Sequence, residues 1–245
     1  MEKKIAWVTG GTGGIGTAIC QALAKDGFTV ITTFREIEAT DAWLVTQRAQ
    51  GFDFQTIQCD VSCFEECQAM MTQVQQREGA VHVLVNNAGI TRDAQLKNMS
   101  LEQWQAVLRT NLDSVFNLSR AVIPVMIAQS YGRIINISSI NGQKGQFGQS
   151  NYSAAKAGMH GFTMALAQET AKYNITVNTV SPGYIATDMV MAVPQAIREK
   201  IIAQIPVGRL GKPEEIARVV AFLASPDSGF ITGANFSVNG GQFMH

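Results

Sequence analysis

Residues 4–25 read K-I-A-W-V-T-G-G-T-G-G-I-G-T-A-I-C-Q-A-L-A-K, an apolar run, five glycines within seven positions, and a second apolar run. The first run is short enough for a buried strand, and the spacing in A-I-C-Q-A-L-A-K suits a helix packed on a sheet. Two glycine registers are satisfied at once. Gly11, Gly13 and Gly16 make G-x-G-x-x-G, while Gly10, Gly14 and Gly16 make G-x-x-x-G-x-G. Glycine permits a tight turn and lets the backbone approach a pyrophosphate, which then sits against the helix amino terminus. A plain turn is the alternative; a strand before and a helix after favour the nucleotide.

Outward from that turn the same alternation repeats. Apolar runs at 28–34, 53–61, 82–85, 133–139, 174–180 and 232–241 predict strands, and the patterns at 39–50, 62–78, 100–119, 152–171 and 213–224 predict helices. Ser100 and Gln103 stand in capping-box positions, and Pro213 with Glu214 and Glu215 opens the last helix in the favoured order. Seven strands alternating with helices predict an α/β chain: a doubly wound, Rossmann-type parallel sheet with helices on both faces and right-handed crossovers. No linker divides residues 1–245, and no repeat of 20–50 residues is present. The weakly patterned stretch 189–204, with Pro194 near its start, reads as a substrate lid spanning about 188–210, or as an extra surface helix.

Composition narrows the function classes. Lys plus Arg equals Asp plus Glu at 19 each, so no basic field exists to attract nucleic acid or anionic membrane. The opening M-E-K-K-I-A-W-V-T-G carries no signal-like apolar region, and no apolar run approaches the ~18 residues of a membrane span. A cytoplasmic protein is expected. Cys59, Cys63 and Cys67 are spaced by four, but no second ligand pair stands at a zinc-like distance, so reduced thiols are expected and no metal.

The chemistry concentrates at 139–156, S-I-N-G-Q-K-G-Q-F-G-Q-S-N-Y-S-A-A-K. Tyr152 and Lys156, four apart on a helix, share one face. A solvated surface pair is the bland reading. The sharper one is a phenol acidified by a neighbouring cation, since a phenolate at neutral pH requires a shift of roughly 3 units, about 4 kcal/mol. Ser139 ends a strand at the sheet's carboxyl edge, where open α/β sheets bind ligands. At the end of 28–34, where an acid would grip the ribose of NAD, stand Phe34 and then Arg35. Arg35 fits a 2'-phosphate, which predicts NADPH, although Glu36 keeps NADH open. Asp60 could accept from an adenine amino group or cap the following helix. Asn111 reads on its own as a hydrogen-bonded core residue, and His160 as packing rather than a general base.

Thr9-Gly10 with the glycine turn, N-N-A-G at 86–89, Asn111 in T-N-L-D-S, Ser139 and Y-S-A-A-K at 152–156 together resemble the short-chain dehydrogenase/reductase family, and the resemblance spans essentially the whole chain. It implies that Asn111, Ser139, Tyr152 and Lys156 form the catalytic set, with Asn111 holding a water that links Lys156 to solvent. It also implies a nicotinamide cofactor held by Gly10, Gly11, Thr12, Gly13, Gly14, Ile15 and Gly16, by Asp60 and Val61 at the adenine, and by Asn87, Ala88 and Gly89 beside the ribose. Lys156 would also fix the nicotinamide ribose next to Tyr152, with Pro182, Gly183, Ile185 and Thr187 along the nicotinamide. Within the family, N-G-Q-K-G-Q-F-G-Q-S-N-Y-S-A-A-K and P-G-Y-I-A-T-D-M are most similar to reductases of acetoacetyl-CoA in polyhydroxyalkanoate synthesis. By that resemblance Asp93, Gln146, Phe147, Gln149 and Tyr184 join Ser139 and Tyr152 around an acyl-CoA thioester, and the product is a (3R)-hydroxyacyl-CoA. Two departures stand out: the basic residue expected to grip CoA is Lys97 or is displaced by Asn98, and Asn239 replaces an Asp in the last motif. The family's habit implies a homotetramer built through long helices such as 152–171. A reductase of 3-oxoacyl groups on acyl-carrier protein is the near alternative, and a catalytically silent NADP(H) sensor the distant one.

Overall fold

The computed structural model describes residues 4–244; Met1, Glu2 and Lys3 of the opening run and His245 at the end of the expected domain lie outside the described residues. Seven strands, β1 (Lys4–Val8), β2 (Phe28–Phe34), β3 (Gln55–Gln58), β4 (Val83–Asn86), β5 (Gly132–Ile137), β6 (Ile175–Pro182) and β7 (Asn235–Val238), form one sheet in the order β3-β2-β1-β4-β5-β6-β7. Every pairing is parallel. The helices are α1 (Gly14–Lys25), α2 (Ile37–Ala49), α3 (Phe64–Glu78), α4 (Leu101–Leu108), α5 (Ser114–Ala128), α6 (Ile140–Lys144), α7 (Ser150–Thr170), α8 (Asp188–Met191), α9 (Gln195–Ile202) and α10 (Pro213–Ala224).

A parallel sheet covered on both faces needs strands that are apolar on both sides, and β1 shows the division. Ile5 and Trp7 enter one core with α3, α5 and α7 through Met70, Leu118, Val122 and Leu166. Ala6 and Val8 enter the other with α1 and α10 through Ile19, Leu23, Ile216 and Val220. Between β1 and β4 the strand order reverses, so the following connections leave to opposite faces and open a crevice at the carboxyl edge.

Several boundaries differ from the sequence expectation. β3 is confined to Gln55–Gln58 rather than 53–61, because Phe54 leaves the ladder to stack on Trp43 with ring centroids 5.2 Å apart. The helix expected over 100–119 is two helices separated by a π turn, Arg109–Asp113, and α5 runs on through Pro124 to Ala128. The stretch 189–204 is two short helices, α8 and α9, and the loop after Ser139 contains α6. The Ser100–Gln103 capping box is present in both directions, at 3.2 and 2.9 Å.

Candidate active site

The glycine turn is built as the sequence suggests, and its glycines differ in what they do. Gly10 has φ +63°, a left-handed conformation that favours glycine. A Cβ on Gly16 would stand 2.2 Å from the Gly10 carbonyl oxygen, and one on Gly11 2.2 Å from Thr32 Oγ1, so these two close the turn against strand and helix. Gly13 is the open one, its added Cβ meeting nothing nearer than 3.6 Å. Gly13 is the N-cap of α1, so the helix amino terminus faces the crevice. Thr9 Oγ1 accepts from the backbone N–H groups of Asn87 and Ala88, both at 3.0 Å, and Asn87 Nδ2 donates to the carbonyls of Thr9 (2.9 Å) and Gly10 (3.1 Å). The residues after β1 and β4 are thereby fixed to each other at the switch point. Thr9 was legible only as the start of the glycine motif.

A cleft of about 680 Å³ runs along this edge. It is lined by Gly10, Thr12, Gly13, Gly14, Ile15, Gly16, Arg35, Asp60, Val61, Asn87, Ala88, Gly89, Ser139, Tyr152, Lys156, Pro182, Gly183 and Thr187. Of the residues the sequence assigned to a cofactor, Gly11 and Ile185 are outside it. Gly11 is packed against Thr32 and Cys20, and the Ile185 side chain belongs to the core beside α10. Thr33, Ile90, Ser138 and Met189 line the cleft without having been singled out; Glu36, which keeps NADH open, and Cys59, weighed only as a thiol, line it as well. Thr187 folds over the turn: a Cβ on Gly14 would lie 2.9 Å from its methyl group. Asp60 accepts from Ser62 N and Oγ at 2.9 and 2.7 Å, forming a turn ahead of α3, whose N-cap is Cys63. Burial pushes the Asp60 carboxyl up, but the Ser62 hydrogen bonds and the Arg35 charge outweigh it and hold the group below its ordinary range.

At the far end, Ser139 caps α6, its Oγ accepting from Asn141 N at 3.1 Å. Ser139 and Tyr152 line the same cleft, and the Ser139 hydroxyl favours the ionised form of the phenol. Lys156 is buried, donates from Nζ to the Ile137 carbonyl at 2.7 Å, and lies 5.7 Å from the centroid of the Tyr152 ring. Asn111 sits in the π turn, fully buried, accepting from Ile90 N at 2.8 Å and donating to Ile90 O at 2.9 Å. Asn111 and Lys156 both crowd Gly89, within 3.3 and 3.5 Å of a Cβ placed there. The extra residue of a π turn in an otherwise regular helix is a local device for re-aiming a side chain, and here it turns Asn111 onto the Ile90 backbone.

The electrostatics correct one expectation. Burial lowers the Lys156 amine to about 7, so at neutral pH it is not a full cation. The Tyr152 phenol is pushed up by burial; the Ser139 hydroxyl opposes this, and the Asp93 charge adds to it. The phenol is therefore held protonated rather than acidified by Lys156. The packing around each group removes water that would stabilise its charged form, so the phenol shifts up and the amine of the buried Lys156 shifts down.

The residues expected to meet an acyl thioester are partly assembled. Asp93 Oδ2 accepts from Gln149 Nε2 at 2.8 Å, and Gln149 Oε1 accepts from Asn141 Nδ2 at 2.9 Å. This chain ties the loop after β4 to the cap that carries Ser139. Gln146 and Phe147 are exposed, Phe147 at 79 %, and neither lines the cleft. Tyr184 is half-buried; burial and the Asp93 charge raise its phenol. Lys97 and Asn98 are both exposed in the short turn Leu96–Asn98. Asn239 donates to Phe243 O at 2.9 Å and accepts from Gly241 N at 3.0 Å, closing the terminal turn from both sides, which an ionised Asp could not do. His160 does not line the cleft.

Comparison with known proteins agrees with this geometry. The family described as short chain dehydrogenase matches residues 4–198. The chain is 56% identical over 245 residues to an acetoacetyl-CoA reductase of Cupriavidus necator, covering all of both chains. It is 53% identical to nodulation protein G of Azospirillum brasilense, covering 98% of each, and 46% identical to a 3-oxoacyl-[acyl-carrier-protein] reductase of Pseudomonas aeruginosa, covering 100% of this chain and 99% of the other.

Proposed function

Because the chain belongs to the short chain dehydrogenase family, we propose that it reduces acetoacetyl-CoA, and 3-oxoacyl-CoA generally, to the (3R)-3-hydroxyacyl-CoA with NADPH. The observation that carries this reading is the meeting of Ser139, Tyr152 and Lys156 at the end of a cleft that begins at the glycine turn. Relatives named acetoacetyl-CoA reductase at 49–56% identity support the CoA carrier over the carrier protein, whose reductase stands at 46%.

The cleft fits a nicotinamide dinucleotide: an open glycine at a helix amino terminus for the pyrophosphate, Arg35 for a 2'-phosphate, Asp60 and Val61 for the adenine, and Gly89, Pro182 and Gly183 near the reacting end. When bound, the reduced nicotinamide supplies the hydride for the 3-keto carbon. Ser139 takes its hydrogen bond from Asn141 N on a lone pair, so its own proton is free for the phenol or the substrate carbonyl. A donor so placed stabilises the developing alkoxide by about 2–4 kcal/mol. Tyr152, kept protonated by its surroundings, delivers its phenolic proton to that oxygen. Lys156 lies behind the phenol with an amine near neutrality, suited to passing a proton inward. Asn111 retains one N–H and one lone pair beyond its Ile90 contacts, capacity for a bridging water.

The lid is α8 and α9, whose Met189 and Ile197 are exposed at 72 % and 51 % and would be covered by an acyl chain. The assembly is a homotetramer through α5 and α7, where Leu112, Phe116 and Phe162 line an open hollow. The product is suited to polyhydroxybutyrate synthesis in the cytoplasm; among the described residues no helix is long and apolar enough to cross a membrane. Initial rates with acetoacetyl-CoA and acetoacetyl-carrier protein, each with NADPH and NADH, test the reading. The CoA thioester with NADPH should be fastest, and Arg35→Ala should erase the NADPH preference. A higher kcat/KM with the carrier protein would instead assign the alternative.

A further inference from the structure

Beneath the floor of the cleft, the last turns of β5 and β6 are joined to α7 through one imidazole. His160 Nε2 lies 3.0 Å from Ser138 Oγ and 3.4 Å from Ser181 Oγ. Ser138 Oγ in turn donates to the Lys156 carbonyl at 2.8 Å, and Ser181 Oγ donates to Asn235 Oδ1 at 2.8 Å. Each hydroxyl has one proton and both are committed, so toward His160 each serine presents only a lone pair. Nε2 must therefore carry the hydrogen and donate to the pair. Both serines are buried, at 4 % and 0 % exposure, where losing a partner is costly.

The three atoms tied together each neighbour a functional group. Ser138 precedes Ser139, Ser181 precedes Pro182 and Gly183, and the Lys156 carbonyl belongs to the residue whose amine backs Tyr152. We propose that His160 is a positioning residue, an Nε2–H clamp that fixes the ends of β5 and β6 against one turn of α7 and so sets the Ser139–Tyr152–Lys156 geometry. The inference rests on the reading of those three as the reacting set. Misplacement by a fraction of an ångström in such a set is expressed in the rate rather than in binding.

The experiment compares the parent protein with His160→Leu, His160→Gln and Ser138→Ala, using acetoacetyl-CoA, NADPH, and melting curves for each. His160→Leu should lower kcat about tenfold while KM and the NADPH Kd stay within about twofold. His160→Gln, which restores an N–H donor, should recover most of that loss. The Leu variant combined with Ser138→Ala should be no slower than the slower single variant, as expected of one shared interaction. If His160→Leu does not fold, Ser138→Ala carries the same kinetic prediction. A kcat within twofold of the parent, a Gln variant no better than Leu, or multiplying losses would overturn the clamp. Should the parent fail to reduce the thioester, the proposed function falls by itself, and the clamp is read from the Tyr152 phenol titration, taken as the absorbance difference from a Tyr152→Phe partner. That titration should move in the Leu variant and return in the Gln variant; an unmoved one overturns the clamp.

Discussion

Lys156 is costly to keep where it is. Its amine is buried and donates to a carbonyl rather than to a carboxylate, and burial brings it from an ordinary 10.5 to about 7. Between those values the unfolded chain holds one more proton than the folded one, so stability rises with pH across the window by about 1.4 kcal/mol per unit from this group. Below about 7 both states are protonated and the cost is fully present. Lys156→Met, similar in reach and without charge, should unfold at higher denaturant than the parent at pH 7, with the gap narrowing toward about pH 9.5. Chemical denaturation at several pH values checks this; a gap independent of pH would show that the amine keeps its ordinary titration. The same desolvation explains why sequence alone misjudged Tyr152: spacing shows that two groups share a helix face, but not how much of each the surrounding fold buries.

At the scale of elements, the strand, glycine turn and helix at 4–25 were legible because the constraint is local. Gly16 has no room for a Cβ against the Gly10 carbonyl, whereas Gly13 faces open space. Gly16→Ala should therefore lower the melting temperature and NADPH affinity together. Gly13→Ala should leave melting within about a degree or two and weaken NADPH alone, as calorimetry and fluorescence titration would show; equal melting losses would contradict this division. The strand 28–34 and helix 213–224 were equally plain, being bounded by Gly27 and Pro213. The π turn at Asn111 was not, since its cause is the Ile90 backbone, 21 positions away. Nor was α6, which forms because Ser139 caps it while Asn141 reaches Gln149. Short helices set by tertiary hydrogen bonds leave little periodicity to read.

At the scale of the whole molecule, the exposed ring of Phe116, stacked on Phe64 at 6.1 Å, lies on α5 beside α7 and fits a surface between copies. Sedimentation should show four chains for the parent and fewer for Phe116→Glu, and a monomeric parent would remove the assembly from the account. The proposed reacting set is a product of the whole topology. Ser139 ends β5, Tyr152 and Lys156 ride on α7, Asn111 comes from the turn before α5, and the glycine turn lies across the switch point from them. The most direct test is therefore the disappearance of NADPH with acetoacetyl-CoA, measured for the parent and for Tyr152→Phe alongside the NADPH Kd of each. The account predicts a fall in kcat of at least about a thousandfold with Kd within about twofold; a Phe variant that keeps a tenth or more of the parent's kcat would contradict Tyr152 as the proton donor.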